Sequence, residues 1–266
     1  MAKLDSAISF TGKIGNLSAY RPKGSDKVIV RLPGGPSKEK IKKGRSFKGL
    51  RQRNMEFGGC GTATKCIRKA MRPLEQLGSG DFTGMLNKLN WSIVPLDTIS
   101  KPGQRNIYFS RNPKLYEGFL LNKTYTFDSI VKNPLVCKIE KDTLSAQINF
   151  PALTPRINFF VPPHNHPVYS FIATIGILPD LVYARGKYKP MSEVHWGTVQ
   201  SAWYPALNGS PVIELFPSLA SLPLVERPAE PFTLMLTVGI CFGTIGIDHK
   251  IVQLRKGGAA KILGME

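Results

Sequence analysis

Phe171-Ile172-Ala173-Thr174-Ile175-Gly176-Ile177-Leu178 and Phe232-Thr233-Leu234-Met235-Leu236-Thr237-Val238-Gly239-Ile240-Cys241-Phe242 are the two longest apolar runs in a chain of 266 residues. Each falls well short of the ~20 apolar residues that cross a bilayer and each carries threonine and glycine, so both read as β-strands and no membrane span is predicted. From about residue 104 onward the surrounding sequence has the same character, short β-rich runs separated by Pro, Asn and Gly. The candidate strands are 106–109, 124–130, 144–150, 156–161, 168–178, 181–185, 198–203, 212–215, 232–242 and 249–254. Short strands in such succession, with no helical period between them, predict an antiparallel β-sandwich. The glycine-rich close of the chain, 257–266, reads as a flexible tail.

Upstream of these strands the pattern differs. Residues 8–32 read as a β-hairpin turning around Gly24-Ser25-Asp26, with Val28, Val30 and Leu32 on one face of the return strand. Ser37 is placed to cap a basic helix from Lys38 to about Glu56. Ile41, Phe47, Leu50 and Met55 are its apolar anchors, and Gly44 and Gly49 weaken it by roughly 1 kcal/mol each relative to alanine. Gly58-Gly59-Cys60-Gly61 predicts a break. Beyond it, Ala63, Ile67, Ala70, Met71, Leu74 and Leu77 recur at helical spacing. A third helix opening near Asp81 carries Phe82, Met85, Leu86, Leu89 and Ile93, with Trp91 at its end, and the two predict a helical hairpin. The expected organisation is a basic hairpin-plus-helices region over 1–100, a β-sandwich over 101–256 and a tail over 257–266.

Lys and Arg number 36 against 18 Asp and Glu, a net charge of +18. Residues 1–80 hold 18 of the cations and 5 of the acids, a net of +13. Such asymmetry marks a surface that meets an anionic partner, of which nucleic acid is the commonest; the plainer alternative is a solvated face that keeps the chain in solution. The candidate phosphate contacts are Lys38, Lys40, Lys42, Lys43, Arg45, Lys48, Arg51 and Arg53, with Arg21 and Lys23 in the hairpin. Tyr20 and Phe47 stand among these cations and allow two readings, rings that stack on bases or core anchors over which the cations snorkel.

Motifs for catalysis are weak. Gly12-Lys13 and the stretch 58–65 lack the Gly-x-x-x-x-Gly-Lys-Ser/Thr spacing of a nucleotide-binding loop, and no Gly-x-Ser-x-Gly elbow occurs. His164-Asn165-His166 has the spacing of a two-histidine metal pair, yet no carboxylate follows closely and prolines 162, 163 and 167 put it in a turn, so neither a metal nor another cofactor is expected. Cys60, Cys66, Cys137 and Cys241 form no Cys-x-x-Cys pair and read as reduced, buried thiols. Asp81, Asp97, Asp128, Glu117, Glu140, Asp180, Glu193 and Glu214 could serve as acid and base only if the fold brings two of them together. The first residues show no basic segment followed by an apolar run, so ordinary export is not expected.

Gly12-Lys13-Ile14-Gly15-Asn16-Leu17-Ser18-Ala19-Tyr20-Arg21, then Val28-Ile29-Val30-Arg31-Leu32-Pro33 and a helix bearing Arg45-Ser46-Phe47, resembles the opening of an uncharacterised bacterial family. In that family a Gly-Lys-x-Gly-Asn hairpin and a helix precede an immunoglobulin-like β-sandwich. The resemblance covers about the first 75 residues, and the glycine cluster at 58–61 departs from it. It implies an α+β fold, a basic β-hairpin and helical region followed by an antiparallel immunoglobulin-like β-sandwich, and it carries no activity, cofactor or site residue.

The expected function is that of a non-enzymatic structural or assembly protein, cytoplasmic or part of an assembled particle. A homo-oligomer or larger assembly would form when exposed strand edges of one chain extend a sheet of another. The alternative is a nucleic-acid-binding protein whose basic N-terminal region grips phosphates, or another anionic polymer, with little sequence preference. A third reading is an enzyme with a site the sequence does not reveal.

Overall fold

The computed structural model describes residues 2–4, 10–32, 34–78, 82–162, 166–220, 228, 230–246 and 248–266, with backbone alone for 2–4, 255 and 256. The fold is α+β, helices with several antiparallel sheets. The chain divides into two compact units, Met1–Arg51 and Gln52–Glu266.

The first unit is a four-stranded antiparallel sheet and a short helix. Its strands β1 (Ala2–Leu4), β2 (Gly12–Ile14), β3 (Leu17–Tyr20) and β4 (Val28–Arg31) lie in the order β1-β4-β3-β2. The predicted turn near Gly24 is present: Ser25 N donates to Pro22 O at 3.1 Å and Gly24 has φ +80°. The arm expected as a single strand is itself folded back, because Gly15 takes φ +54° and lets Ile14 pair with Leu17 across a two-residue loop. Ser37 caps α1 (Lys38–Lys43) as expected, accepting from Lys40 N at 3.2 Å. The helix stops at Gly44, where ψ of 131° leaves the helical region; a 3-10 turn, Arg45–Phe47, leads into α2 (Lys48–Ala70).

The predicted break at 58–61 does not occur, since α2 runs through the glycines. Tertiary packing offsets their propensity cost of ~1 kcal/mol each. Gly59 lies under the Tyr188 ring so closely that a Cβ would sit 2.8 Å from it, and Cys60 and Ala63 are fully buried. Two further helices follow, α3 (Arg72–Glu75) and α4 (Phe82–Ile93). Asn90 on α4 donates to Cys60 O (3.2 Å) and Thr64 Oγ1 (2.8 Å) and accepts from Tyr116 OH (2.5 Å), which ties the helical hairpin together. Trp91 sits inside α4, edge-on to Phe57 at 6.2 Å. Asp81 lies outside the described residues.

The rest of the second unit contains α5 (Phe127–Ile130), β5 (Val136–Glu140), β6 (Ser145–Phe150), β7 (Val168–Pro179), β8 (Leu181–Ala184), β9 (Lys187–Pro190), β10 (Trp196–Gln200), β11 (Tyr204–Pro205), β12 (Ile213–Leu215), β13 (Phe232–Ile245) and β14 (Ile251–Met265). The central sheet has the order β10-β7-β13-β14, with β11 also on β7; β12-β6-β5 form a second sheet and β8-β9 a hairpin. The two apolar runs are the central neighbours β7 and β13, and alternation puts both of their faces in a core. Phe171, Ala173, Ile175 and Ile177 with Leu234, Leu236 and Val238 pack against Ile148 and Phe150 of β6 and Ile213 and Leu215 of β12. On the opposite face Ile172, Leu178 and Met235 pack against Ile67, Met71, Leu74 and Leu86 of the helices. Each large side chain so buried is worth ~1.5–3 kcal/mol relative to exposure.

This two-sided burial explains where the expected organisation departs from the structure. The helices after residue 51 share a core with the central sheet, so the compact division falls at Arg51/Gln52 and not near residue 100. Residues 257–266 are not a tail: β14 continues to Met265 beside β13, Ala259 and Ala260 are buried, and Leu234 and Glu266 exchange two backbone hydrogen bonds. Small residues let this backbone lie close, as a Cβ on Gly258 would meet Ile240 O at 2.1 Å. The run 124–130 holds the short helix α5, because Thr126 Oγ1 accepts from Ser129 N at 3.1 Å and caps it. Residues 156–161 form a turn in which Phe159 bridges both Val131 and Pro155, and 106–109 make a single bridge, Ile107 to Leu181.

Candidate functional site

Strand register makes the sheet of the first unit two-faced. Ile14 pairs with Leu17, Ala19 with Val30, and Leu17 and Ala19 share a side with Val28 and Leu32, so one face is apolar. Ala19 and Val28 are buried at 3% and 2% exposure, whereas Ile14 is 59% exposed and Leu32 67%. Lys13, Ser18, Tyr20, Ile29 and Arg31 lie on the other face, where the Arg31 guanidinium stands 5.2 Å over the Tyr20 ring. The unit holds 13 Lys and Arg against 3 Asp and Glu, a net of +10, and the described charged side chains that strand register assigns to a face, Lys13 and Arg31, lie opposite the apolar one.

Lys38, Lys40, Lys42, Lys43, Arg45 and Lys48 are exposed, and no residue of α1 is buried. Arg21 and Lys23 are exposed between β3 and β4, and Arg53 is exposed on α2. Arg51 is engaged within its own unit through one nitrogen. Its Nη1 donates to Ile41 O (2.6 Å) and Gly44 O (2.8 Å), satisfying carbonyls at the C-terminal end of α1 and fixing the half-buried guanidinium there. Phe47 is half-buried and Tyr20 is exposed beside Arg31.

In the second unit the structure collects cations that the sequence reading passed over. Lys65, Arg68 and Lys69 of α2 and Arg72 of α3 line a groove of about 660 Å³ with Thr64 and Asn87, whose side chains share a 2.6 Å hydrogen bond. Lys65 and Lys69 also wall a second groove of about 520 Å³ that includes Ser192 and Glu193. Arg68 is ion-paired with Glu75 and lies 5.8 Å over the Phe82 ring. Arg72 stands 5.9 Å over the ring of Trp196, which rims a third groove of about 480 Å³ with His195 and Thr198. The signal was present as basic residues at 65, 68, 69 and 72, one face of a helix.

The remaining reactive groups are engaged structurally. Burial, reinforced by the charge of Glu56, pushes the Cys60 thiol up to about 12, and burial pushes Cys241 to about 12 as well. Burial raises Cys66 and Cys137 in the same sense, so none of the four is a ready thiolate at neutral pH. Burial opposes ionisation of Asp97, but hydrogen bonds from Ser100, Asn106 and Ile99 outweigh it and hold the carboxyl below its ordinary range. Asp180, fully buried, accepts from Ser110 N (3.0 Å) and Ser110 Oγ (2.5 Å), and burial still raises it. Asp128 is paired with Lys261 and Glu140 with Lys138; Glu117 accepts from Met265 N, Glu193 lies 4.0 Å from His195, and Glu214 is exposed. His166 stacks on Phe242 at 4.9 Å, and His164 lies outside the described residues. Among the described residues no three His, Cys, Asp or Glu gather as metal ligands, and no helix is long and apolar enough to cross a membrane.

No family model, curated protein or solved structure matches this chain.

Proposed function

We propose that this chain is a non-enzymatic structural protein that self-associates through its N-terminal sheet into a larger particle or filament. The observation that carries this reading is the apolar sheet face on which Ile14, Leu17 and Leu32 remain exposed. A second copy of the chain is the occupant that fits. The strand cations Lys13 and Arg31 lie on the opposite face, so two copies can meet across the apolar one with these charges turned away, where repulsion is screened by salt. β1 and β2 are the edges of the same sheet among the described residues, and their outer main-chain groups offer strand addition to a neighbour. In this proposal the packed sheets of the second unit act as an immunoglobulin-like sandwich, the fold that goes with the N-terminal resemblance, and the assembly is cytoplasmic or part of a particle. The test is a pair of double variants, Ile14→Lys with Leu17→Lys on the apolar face and Lys13→Gln with Arg31→Gln on the other. The first should reduce the mass in solution and the second should not; equal masses for both would overturn the proposal.

A second reading is favoured by the exposure of Lys38, Lys40, Lys42, Lys43, Arg45 and Lys48. In it, α1 contacts the phosphates of nucleic acid without reading bases. Neutralising Lys40, Lys42 and Lys43 should then flatten the salt dependence of binding, and an unchanged slope would discard it.

A further inference from the structure

The helical layer of the second unit carries a line of cations between open grooves. Lys65 and Lys69 lie one turn apart on α2, about 6 Å along the axis at ~1.5 Å per residue, and Arg72 begins α3 immediately beyond. All three are exposed, and among the described residues none is ion-paired. Of the two carboxylates at these grooves, Glu75 is taken by Arg68 and Glu193 sits beside His195. Three cations thus stand against a single carboxylate that, among the described residues, no Lys or Arg takes, Glu193 on the second groove, and like charges held at this spacing favour an anion with repeated charges along a line. A linear polymer fits the ridge better than a planar lipid surface, because grooves of about 660 and 520 Å³ flank Lys65 and Lys69 on either side.

What narrows the polymer is Trp196. Its half-buried ring lies 5.9 Å from the Arg72 guanidinium and opens on a groove of about 480 Å³. A cation against an aromatic face, at the end of a basic track, is the combination by which a single strand is held: the track follows phosphates and the ring accepts an unstacked base. A duplex keeps its bases stacked and would use the cations alone.

We propose that Lys65, Lys69 and Arg72 hold successive phosphates of single-stranded nucleic acid while Trp196 stacks on a base. This site lies in the second unit and does not depend on the lysines of α1. The test is fluorescence anisotropy of a labelled 20-mer oligothymidylate at several salt concentrations, with a duplex of equal length and inorganic polyphosphate as competitors. The triple variant Lys65→Gln, Lys69→Gln, Arg72→Gln should lower the slope of log K against log salt by about 2, since each phosphate contact on a single strand contributes about 0.7. Trp196→Leu should weaken oligothymidylate roughly 5-fold or more and leave polyphosphate unchanged, the loss that goes with removing one stacked base. Circular dichroism confirms that each variant is folded, and Lys88→Gln, on the exposed side of α4, serves as a control for charge alone. An unchanged slope in the triple variant overturns the proposal, and if neutralising Lys40, Lys42 and Lys43 lowers the slope instead, the α1 reading stands without it. Equal competition by duplex or polyphosphate, or no effect of Trp196→Leu, overturns the single-strand assignment.

Discussion

The close approach of α2 to the central sheet makes Gly176→Ala a sharp perturbation. A Cβ at residue 176 would lie 2.7 Å from Ala70 Cβ, 2.7 Å from Ala70 O and 3.0 Å from Ala70 Cα. These atoms belong to the helix backbone or its first side-chain carbon, so no rotamer change relieves the clash and the helix must move off the sheet. It would have to do so through a layer in which Ala63, Ile67, Met71 and Leu74 are fully buried. Because the clash is with Ala70 Cβ and backbone atoms, the cost sits in the upper part of the ~1–3 kcal/mol range for overpacking, ~2–3 kcal/mol, while replacing glycine lowers the entropy of the unfolded chain and returns ~0.4–1 kcal/mol, leaving a net loss of roughly 1–2.6 kcal/mol. At ~2–4 °C per kcal/mol for a unit of this size, Tm should fall by about 2–10 °C. Gly61→Ala on the same helix is the control of opposite sign. Nothing lies within 4 Å of its Cβ, and the helix-propensity gain of up to ~1 kcal/mol should raise Tm by about 2–4 °C. Thermal unfolding followed by circular dichroism reads both. A Gly176→Ala protein as stable as the parent would refute the packing of α2 on β7.

Asn90→Ala should cost at least about 2 kcal/mol in urea unfolding, because it strips the buried Tyr116 hydroxyl of its acceptor and removes the amide donated to Cys60 O and Thr64 Oγ1, Thr64 keeping only Asn87, and Tyr116→Phe should cost less. Asp97 has a folded-state pKa held below the ordinary value of 3.8, so its contribution is fully present above that value and is lost as pH falls through the folded value; Asp97→Asn should flatten stability against pH below about 4, and an unaltered acid limb would contradict this. With Cys60 and Cys241 raised to about 12, an aromatic disulfide reagent at pH 8 should react quickly with at most the half-buried Cys137 and with all four thiols only after denaturation.

Much of the strand pattern was legible because its cause is local. Phe171 to Leu178 and Phe232 to Phe242 are apolar on both sides, and they became the sheet's two buried central strands. Ser37 was legible as a cap for the same reason. The misreadings arose where a distant contact decides the outcome. The glycines at 58–61 look like a break until Tyr188 and Asn90 are brought against them. Gly257 to Lys261 looks like a tail until Ile240 is found to need a neighbour without bulk. Arg51 reads as one more basic residue among many, and only the fold shows its guanidinium on Ile41 and Gly44. The ridge at Lys65, Lys69 and Arg72 was visible as spacing, but Trp196 comes to it from β10, far along the chain, and no pattern in the sequence joins them.

Self-association is most directly tested by the mass of the particle in solution. Size exclusion with light scattering and a 260/280 absorbance ratio, at modest salt and after nuclease treatment, should give a mass of many chains with a protein-like ratio. A mass of one chain at every loading concentration would contradict the proposed assembly.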